Sequence, residues 1–358
     1  MGERTDILFV GTGYFTEIML GDIAATARTP LRVVVGGRNP DRIKWLVDAC
    51  RSRTMIHGTR VRFEGEVLDS NAADNLVEPL SRLRPRTVVQ SASMQSPWKV
   101  DNGESRWSDL VASAGFGSTI AFHALLAWRT ATALERTELD AHFVNTCYPD
   151  GVNQLLAAAG KPMTTGVGNV GIFSAVIGGR LPIEKRQALR VLGHHRHLVE
   201  WRKPVGTRAG NPVRAWIDAE EIPDTDALTG DIQLPYRDLN VISGASAVPV
   251  LLALSGEGGR RAHVPGPHGR PGGYPVRVDL DGVTLDLPPT ISEADAIAWN
   301  RQFEEADGVS VRDGWVVYAD RTKEALAAHD AAIAEGFEVT DVERAAAALG
   351  QLRERLGG

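Results

Sequence analysis

The chain has 358 residues, a net charge of -6 and 43% hydrophobic residues, a composition that excludes the disordered and fibrous classes. Its acidic balance, without a long basic run, argues against a nucleic-acid partner. Apolar stretches such as residues 248–254 are far shorter than the roughly 20 residues that cross a bilayer, so we expect no membrane partner. A chain of this length predicts two domains.

The first residues enter a predicted strand directly, so we expect no secretory leader. Cys50 and Cys147 are too few for a disulfide framework and lack the spacing of a CxxC metal motif. Both observations predict a cytoplasmic protein.

Short β-rich runs alternate with amphipathic helical patterns over residues 1–150, which is typical of a doubly wound parallel sheet. We predict strands at residues 6–10, 31–36, 61–68, 87–92 and 141–147. Helices are predicted at residues 15–27, 40–52, 72–83 and 108–133, with Asp69 and Asn71 as caps of the third. The expected fold class is α/β, with a dinucleotide-binding Rossmann domain over residues 1–150.

The pattern becomes less regular after Tyr148, with Gly- and Pro-rich loops at residues 204–212 and 256–273. A β-hairpin is predicted at residues 274–278 and 283–287, because Asp281-Gly282 is a turn signal. Amphipathic helices are predicted at residues 292–305, 323–334 and 342–356. We therefore expect an α+β substrate-binding and oligomerisation domain over residues 151–358.

A glycine-rich turn follows the first predicted strand and opens the first helix. Gly11 permits a tight turn, and Gly13 lets the backbone approach a pyrophosphate at the positive end of the helix. The predicted dinucleotide-binding residues here are Gly11, Thr12, Gly13, Tyr14 and Phe15. Thr16 replaces the usual third glycine, and we expect either a more distant helix or relief of the crowding by Gly21. The alternative is an ordinary strand-to-helix turn.

The end of the second predicted strand indicates which nucleotide binds. NAD-binding domains usually carry a carboxylate there for the ribose hydroxyls. This chain has Arg38 and Asn39 instead, and a guanidinium suits a 2′-phosphate. We therefore predict NADP(H) as the cofactor, with NAD(H) less favoured; the alternative is that Arg38 caps the next helix. Ser91, Ala92 and Ser93 are small enough to let the nicotinamide half pass over the sheet edge.

Gly103-Glu104-Ser105-Arg106 resembles the active-site loop of the lactate/malate dehydrogenase family. Further similarities keep the family's order at residues 144–150, 166–169, 191–195, 273–276, 281–283 and 291–293. The resemblance implies that Arg106 polarises the substrate and that His195 exchanges the proton that accompanies hydride transfer. Residues 37–40 and 67–69 are more similar to saccharopine dehydrogenase-type and other NADP-dependent reductases.

An imidazole can supply a proton at neutral pH because its ordinary pKa is near 6.5. His194 and His197 are alternatives to His195, and all three could instead be solvated surface residues. No carboxylate or cysteine sits beside them at ligand spacing, so we expect no metal.

The sequence departs from the family where the family places a carboxylate that orients the histidine and an arginine that grips the substrate acid. Residues 171–176 are apolar or small there, with Arg180 a turn away. An apolar wall leaves a carboxylate unpaired, so simple 2-hydroxy acids are not the expected substrates. His195 would then need another partner, such as Glu200 or a backbone carbonyl.

Three further expectations concern the pocket itself. Tyr148 stands where the family has an asparagine and could donate a proton, so it is a catalytic candidate. Asn145 could hold a carboxamide or hydroxyl group and is a cofactor-binding candidate. Trp98, Trp107 and Trp201 could line a pocket for a larger, less polar substrate, although tryptophans more often pack in the core.

These observations predict an NADP(H)-dependent oxidoreductase that transfers hydride to or from a C=O/C–OH or C=N group of a small metabolite. One alternative is an imine reductase of the saccharopine dehydrogenase type, in which His195 need not act. Another is a non-catalytic NADP(H)-binding sensor or scaffold. The resemblance also implies a homodimer or homotetramer.

Overall fold

The computed structural model describes residues 4–96, 103–235 and 238–358. Trp98, proposed as a pocket residue, lies outside the described residues. Within the described ranges, no helix is both long and apolar enough to span a bilayer.

A six-stranded parallel sheet forms the centre of the N-terminal half among the described residues. Its strands are β1 (Ile7–Val10), β2 (Leu31–Gly37), β3 (Val61–Val67), β4 (Thr87–Gln90), β5 (His142–Asn145) and β6 (Thr165–Gly166). The spatial order β3-β2-β1-β4-β5-β6 is that of the doubly wound dinucleotide-binding fold. The predicted Rossmann fold is therefore confirmed, with five strands where the sequence placed them and a short sixth that it missed.

Burial explains why these strands could be recognised. Every residue of β1 and β4 is buried, because helices cover both faces of the sheet centre. The edge strand β3 instead alternates, with Val61 and Phe63 inside and Arg62 exposed.

Helices connect the strands of this half: α1 (Tyr14–Thr26), α2 (Pro40–His57), α3 (Asp74–Leu83), α4 (Arg106–Ala114), α5 (Ile120–Thr137) and α6 (Pro149–Ala158). The prediction that Asp69 or Asn71 caps α3 is wrong, since the residue before this helix is Ala73, which makes no side-chain cap. Asp69 instead accepts hydrogen bonds from the Asn71 backbone and the Asn75 side chain, and so closes the preceding turn.

The single helix predicted at residues 108–133 is also wrong, because the chain breaks between α4 and α5. Gly115 adopts a φ of 90°, and a 3-10 turn follows at Phe116–Thr119. A Cβ on Gly117 would lie 2.7 Å from the backbone oxygen of Asp307, so this turn approaches the C-terminal segment too closely for a larger residue. The break thus brings the turn against Asp307.

The C-terminal half contains three antiparallel sheets in the described residues. Their strands are β7 (Leu189–Leu192), β8 (Arg214–Ile217), β9 (Glu220–Glu221), β10 (Arg260–Pro265), β11 (Gly273–Asp279), β12 (Gly282–Leu285), β13 (Val309–Arg312), β14 (Trp315–Tyr318) and β15 (Phe337–Glu338). The predicted hairpin is confirmed as β11 and β12, with Asp279 opposite Gly282.

The helices of this half are α7 (Asn169–Arg180), α8 (Arg196–Arg202), α9 (Thr225–Thr229), α10 (Leu239–Leu254), α11 (Glu293–Arg301), α12 (Glu304–Asp307), α13 (Asp320–Ala327), α14 (Ala331–Ala334) and α15 (Val342–Arg355). Short 3-10 turns lie at Ile183–Ala188 and Pro267–Gly269.

The two halves share their hydrophobic cores. Leu8 of β1 lies in one buried cluster with Val309 of β13 and Leu349 of α15. On the opposite face of the sheet, Phe9 lies in a second cluster with Leu251 of α10. The last 50 or so residues therefore pack back onto the sheet that begins the chain, although they follow the predicted boundary at residue 150.

Candidate functional site

A cleft of about 1200 Å³ opens at the carboxyl ends of β1 and β4. Open parallel sheets bind ligands at this kind of position, where the strand order reverses. The described lining includes Arg38, His123, His195 and Arg202 but no Asp or Glu side chain. The cleft is therefore suited to an anionic ligand.

The glycine-rich turn forms the floor of this cleft, and all five of its predicted binding residues line it: Gly11, Thr12, Gly13, Tyr14 and Phe15. Gly11 has a φ of 135°, and a Cβ there would lie 2.7 Å from Ser91 Oγ, so only glycine fits. Gly13 precedes α1 without a side-chain cap, and a Cβ there would meet no atom of the described residues within 4 Å. Open space thus faces the uncapped N–H groups of the helix, an arrangement that suits a phosphate.

Thr16, which replaces the usual third glycine, is accommodated by a contact with the end of β4. Its side chain is buried, and Thr16 Oγ1 lies 2.6 Å from Ser91 Oγ, so a hydroxyl pair joins α1 to the end of β4. Gly21 does not relieve crowding there, because it packs against α2, where its carbonyl accepts a hydrogen bond from Arg53 Nε at 3.0 Å.

Arg38 and Asn39 line the cleft at the end of β2. Arg38 is exposed and makes no hydrogen bond or ion pair with another described residue. Asn39, not Arg38, caps α2, since its side chain accepts a hydrogen bond from the Arg42 backbone N–H at 3.0 Å. Arg42 is engaged elsewhere, with Thr12 and Glu17. The guanidinium of Arg38 is therefore available to a ligand.

The end of β4 contributes Ser91, Ala92 and Ser93 to the lining. Asn145 at the end of β5 is different, because its side chain is completely buried and is not part of the lining. Its carboxamide accepts from the Cys147 backbone N–H at 2.9 Å and donates to Asn153 Oδ1 at 2.9 Å. Asn145 shapes the turn after β5, and the structure does not bring it to the cleft.

Three side chains from distant elements meet at the far end of the cleft. His195 precedes α8, Tyr148 precedes α6, and Asp307 ends α12. His195 Nδ1 lies 3.0 Å from Asp307 Oδ1, and the Tyr148 hydroxyl donates to Asp307 Oδ2 at 2.5 Å. Tyr148 holds a left-handed backbone conformation with a φ of 47°, which is uncommon for a residue with a side chain.

The electrostatics of this group determine the state of the imidazole. Burial by itself lowers the pKa of His195, but the carboxylates of Asp307 and Asp150 outweigh burial, so the pKa of His195 is raised. Burial acts to raise the pKa of Asp307, yet His195 and Tyr148 bring it down to about 2. Because the ionised carboxylate can only accept, His195 Nδ1 carries the proton and Nε2 is left to exchange one.

Asp150 holds the backbone at His195, just before α8. Its Oδ1 accepts from the His195 backbone N–H at 3.1 Å, and its Oδ2 accepts from the Asn169 side chain. Burial raises the pKa of the Tyr148 hydroxyl well above its ordinary value, with Asp307 adding to the effect, so Tyr148 stays protonated. It acts on Asp307 as a hydrogen-bond donor.

His194 and His197 are buried and are not part of the cleft lining. His194 Nδ1 accepts from the Arg196 backbone, and His197 Nε2 lies 3.1 Å from the Asn211 backbone oxygen. Burial lowers the pKa of His197 to about 4, so this imidazole is neutral at pH 7. Of the three candidate histidines, the structure brings only His195 to the cleft.

The expectation that Glu200 orients His195 is wrong, because Glu200 pairs with Lys203 and Arg196 while Asp307 holds the imidazole. Arg106 is exposed at the first turn of α4 and is not among the residues lining the cleft.

The remaining pocket predictions concern Arg180 and the tryptophans. Arg180 pairs with Asp231 at the surface. Trp107 and Trp201 are buried, and neither lines the cleft.

Sequence reasoning missed three charged residues of the site, Asp150, Arg202 and Asp307. Arg202, at the end of α8, lines the cleft, and its only sequence signal was its position seven residues after His195. Asp307 is followed by Gly308 with a φ of 94°, which ends α12, but no local motif marks it as a partner of His195.

No family model matches the sequence, and no curated protein matches it significantly. Solved structures do resemble it. The malate dehydrogenase from Aeropyrum pernix is 14% identical, with a TM-score of 0.50, covering 84% of this chain and 94% of that one. Lactate dehydrogenase from Eimeria maxima with NADH and oxamate is 13% identical, with a TM-score of 0.46, covering 86% and 93%. The chain thus has a distant lactate/malate dehydrogenase-like fold.

Proposed function

We propose that this protein is an NADP(H)-dependent oxidoreductase that transfers hydride to or from a C=O/C–OH group of a small metabolite. The observation that carries the proposal is the continuity of the cleft. One cavity joins the open glycine turn at Gly13, the available guanidinium of Arg38 and the oriented imidazole of His195.

The residues fit a dinucleotide in three respects. The uncapped start of α1 offers N–H donors to a pyrophosphate across the open space at Gly13. Arg38 offers a planar fork to a 2′-phosphate, and no described carboxylate lines the cleft to repel it. The small side chains of Ser91, Ala92 and Ser93 leave room above the end of β4 for the nicotinamide half.

A bound nicotinamide supplies or accepts hydride, and the protein must manage the accompanying proton. His195 supplies that proton from Nε2 when a carbonyl is reduced, since hydride delivery otherwise leaves an alkoxide. Asp307 keeps the imidazole in the required orientation and stabilises its cationic form. Carbonyl chemistry is favoured over imine reduction, because an imine can be protonated to an iminium ion in water before hydride transfer, whereas a neutral ketone needs a proton donor in the site.

The test is turnover with NADPH on a panel of aldehydes, ketones and cyclic imines, followed by the decrease in NADPH absorbance. We expect reduction of a carbonyl compound. His195→Asn should lower kcat by about 10²- to 10⁴-fold, the usual contribution of a general acid. His57→Asn, at an exposed histidine that ends α2 away from the cleft, is the matched control and should keep full activity. Full activity of His195→Asn, or turnover of imines alone, would overturn this mechanism.

A further inference from the structure

A second histidine lines the same end of the cleft, and no described residue hydrogen-bonds its Nε2. His123, on α5, is 2% exposed, and its Nε2 is buried with no partner among the described residues. Nearly all buried polar atoms in proteins are paired. An unpaired nitrogen at a cavity wall is therefore a position that a ligand can satisfy.

His123 and His195 flank the same two aromatic rings. The Phe116 ring centroid lies 4.8 Å from that of His123 and 5.4 Å from that of His195. The Tyr148 centroid lies 6.0 Å and 5.5 Å from the same two imidazoles. A small ligand whose reacting group reaches His195 therefore lies beside His123 as well.

The surroundings of His123 favour an uncharged ligand group. Burial lowers the pKa of His123 to about 3, with His195 adding to the effect, so the imidazole is neutral at pH 7. Arg202 lowers the pKa of His195 but does not contribute to that of His123. A carboxylate at His123 would lose its hydration against aromatic rings and a neutral imidazole, and the neighbouring His195 is already paired with the Asp307 carboxylate.

We infer that His123 Nε2 hydrogen-bonds a second, uncharged polar group of the substrate, in a subsite walled by Phe116 and Tyr148. The inference rests on the proposed function, because it takes the reacting carbonyl to lie at His195. The substrate class is then a ketone with an apolar body and a hydroxyl, carbonyl or amide group close to the reacting carbon. A substrate that lacks this group leaves the buried Nε2 of His123 unpaired and binds more weakly, so the subsite favours substrates that carry the group.

The experiment compares two neutral ketones that differ by one hydroxyl, 2-hydroxyacetophenone and acetophenone. Each is titrated calorimetrically into protein saturated with NADP⁺, so that the ketone group cannot be reduced. The wild type should bind the hydroxyketone about tenfold more tightly, the effect of one buried hydrogen bond. His123→Phe keeps an aromatic ring beside Phe116 and should reduce this ratio to about one, whereas His123→Gln should retain part of it.

Other readouts separate this inference from a structural role and from the proposed function. His123→Phe should melt at the same temperature as the wild type or higher, since it removes an unpaired buried nitrogen. A lower melting temperature together with an unchanged binding ratio would assign His123 a structural role and overturn the inference. A wild type without preference for the hydroxyketone would overturn it too. Failure of NADP⁺ itself to bind, measured first, would instead count against the proposed function.

Discussion

His195 and Asp307 are 112 residues apart in the chain, yet His195 Nδ1 lies 3.0 Å from Asp307 Oδ1. The contact forms because the segment after α11 returns to the sheet and packs onto its core. Asp307 of this segment supplies the carboxylate that orients His195, because residues 171–176 contain no acidic residue. The C-terminal segment thus completes the proposed catalytic site as well as the core.

Tyr148→Phe should weaken this arrangement by removing one of the hydrogen bonds to the buried Asp307 carboxylate. We expect the free energy of unfolding to fall by about 1.5–3 kcal/mol, the range for hydrogen bonds to charged groups. Urea unfolding measures it. Tyr318→Phe is the matched control, because Tyr318 is buried but makes no hydrogen bond with the described residues. Equal stability losses in the two variants would show that the Tyr148 hydroxyl does not support Asp307.

Asp307→Asn should move the pH dependence of carbonyl reduction to lower pH. The Asp307 carboxylate raises the pKa of His195 against the effect of burial, so an amide of the same size lets that pKa fall. Reduction requires protonated His195 and is lost as pH rises through this pKa, so the variant should lose activity at a lower pH than the wild type. The measurement is kcat/KM between pH 5 and pH 9. If kcat/KM falls at the same pH in the variant and in the wild type, the proposed role of Asp307 is contradicted.

Gly13→Val should reduce nucleotide affinity without destabilising the fold. Among the residues that the structure describes, none lies within 4 Å of a Cβ at this position, and the backbone φ of -74° suits any residue. The new side chain therefore projects into open space at the floor of the cleft. We expect at least about a tenfold weaker Kd for NADPH, since a 1.4 kcal/mol loss already has that effect.

Gly350→Val is the control for that variant, because a Cβ on Gly350 also has no described neighbour within 4 Å, but the residue lies on α15, away from the cleft. Its Kd for NADPH should match the wild type. If Gly13→Val bound NADPH as tightly as this control, the glycine turn would not be the phosphate site.

Local patterns were enough to predict most of the N-terminal half. The central strand β1 is a continuous apolar run because it is buried on both faces, and Gly11 and Gly13 mark the turn because the backbone there needs glycine and open space. His195 could be named from its resemblance to a family motif. Asp307 could not, because a contact across 112 residues leaves no trace in local spacing.

Two errors have the same physical origin in long-range packing. The helix predicted at residues 108–133 is interrupted at Gly115, where a 3-10 turn passes close to Asp307. Asn145 was expected at the cofactor, but its carboxamide satisfies the turn after β5. Both depend on partners that periodicity cannot reveal.

The preference between nucleotides tests the central claim most directly. Calorimetric titration of NADPH and NADH into the wild type should give a tighter Kd for NADPH. Arg38→Asp should reverse the preference, because a carboxylate repels the 2′-phosphate and accepts hydrogen bonds from ribose hydroxyls. Arg344→Asp, at an exposed arginine of α15 outside the cleft, should leave it unchanged. Absence of binding by either nucleotide, or an unaltered preference in Arg38→Asp, would contradict the account.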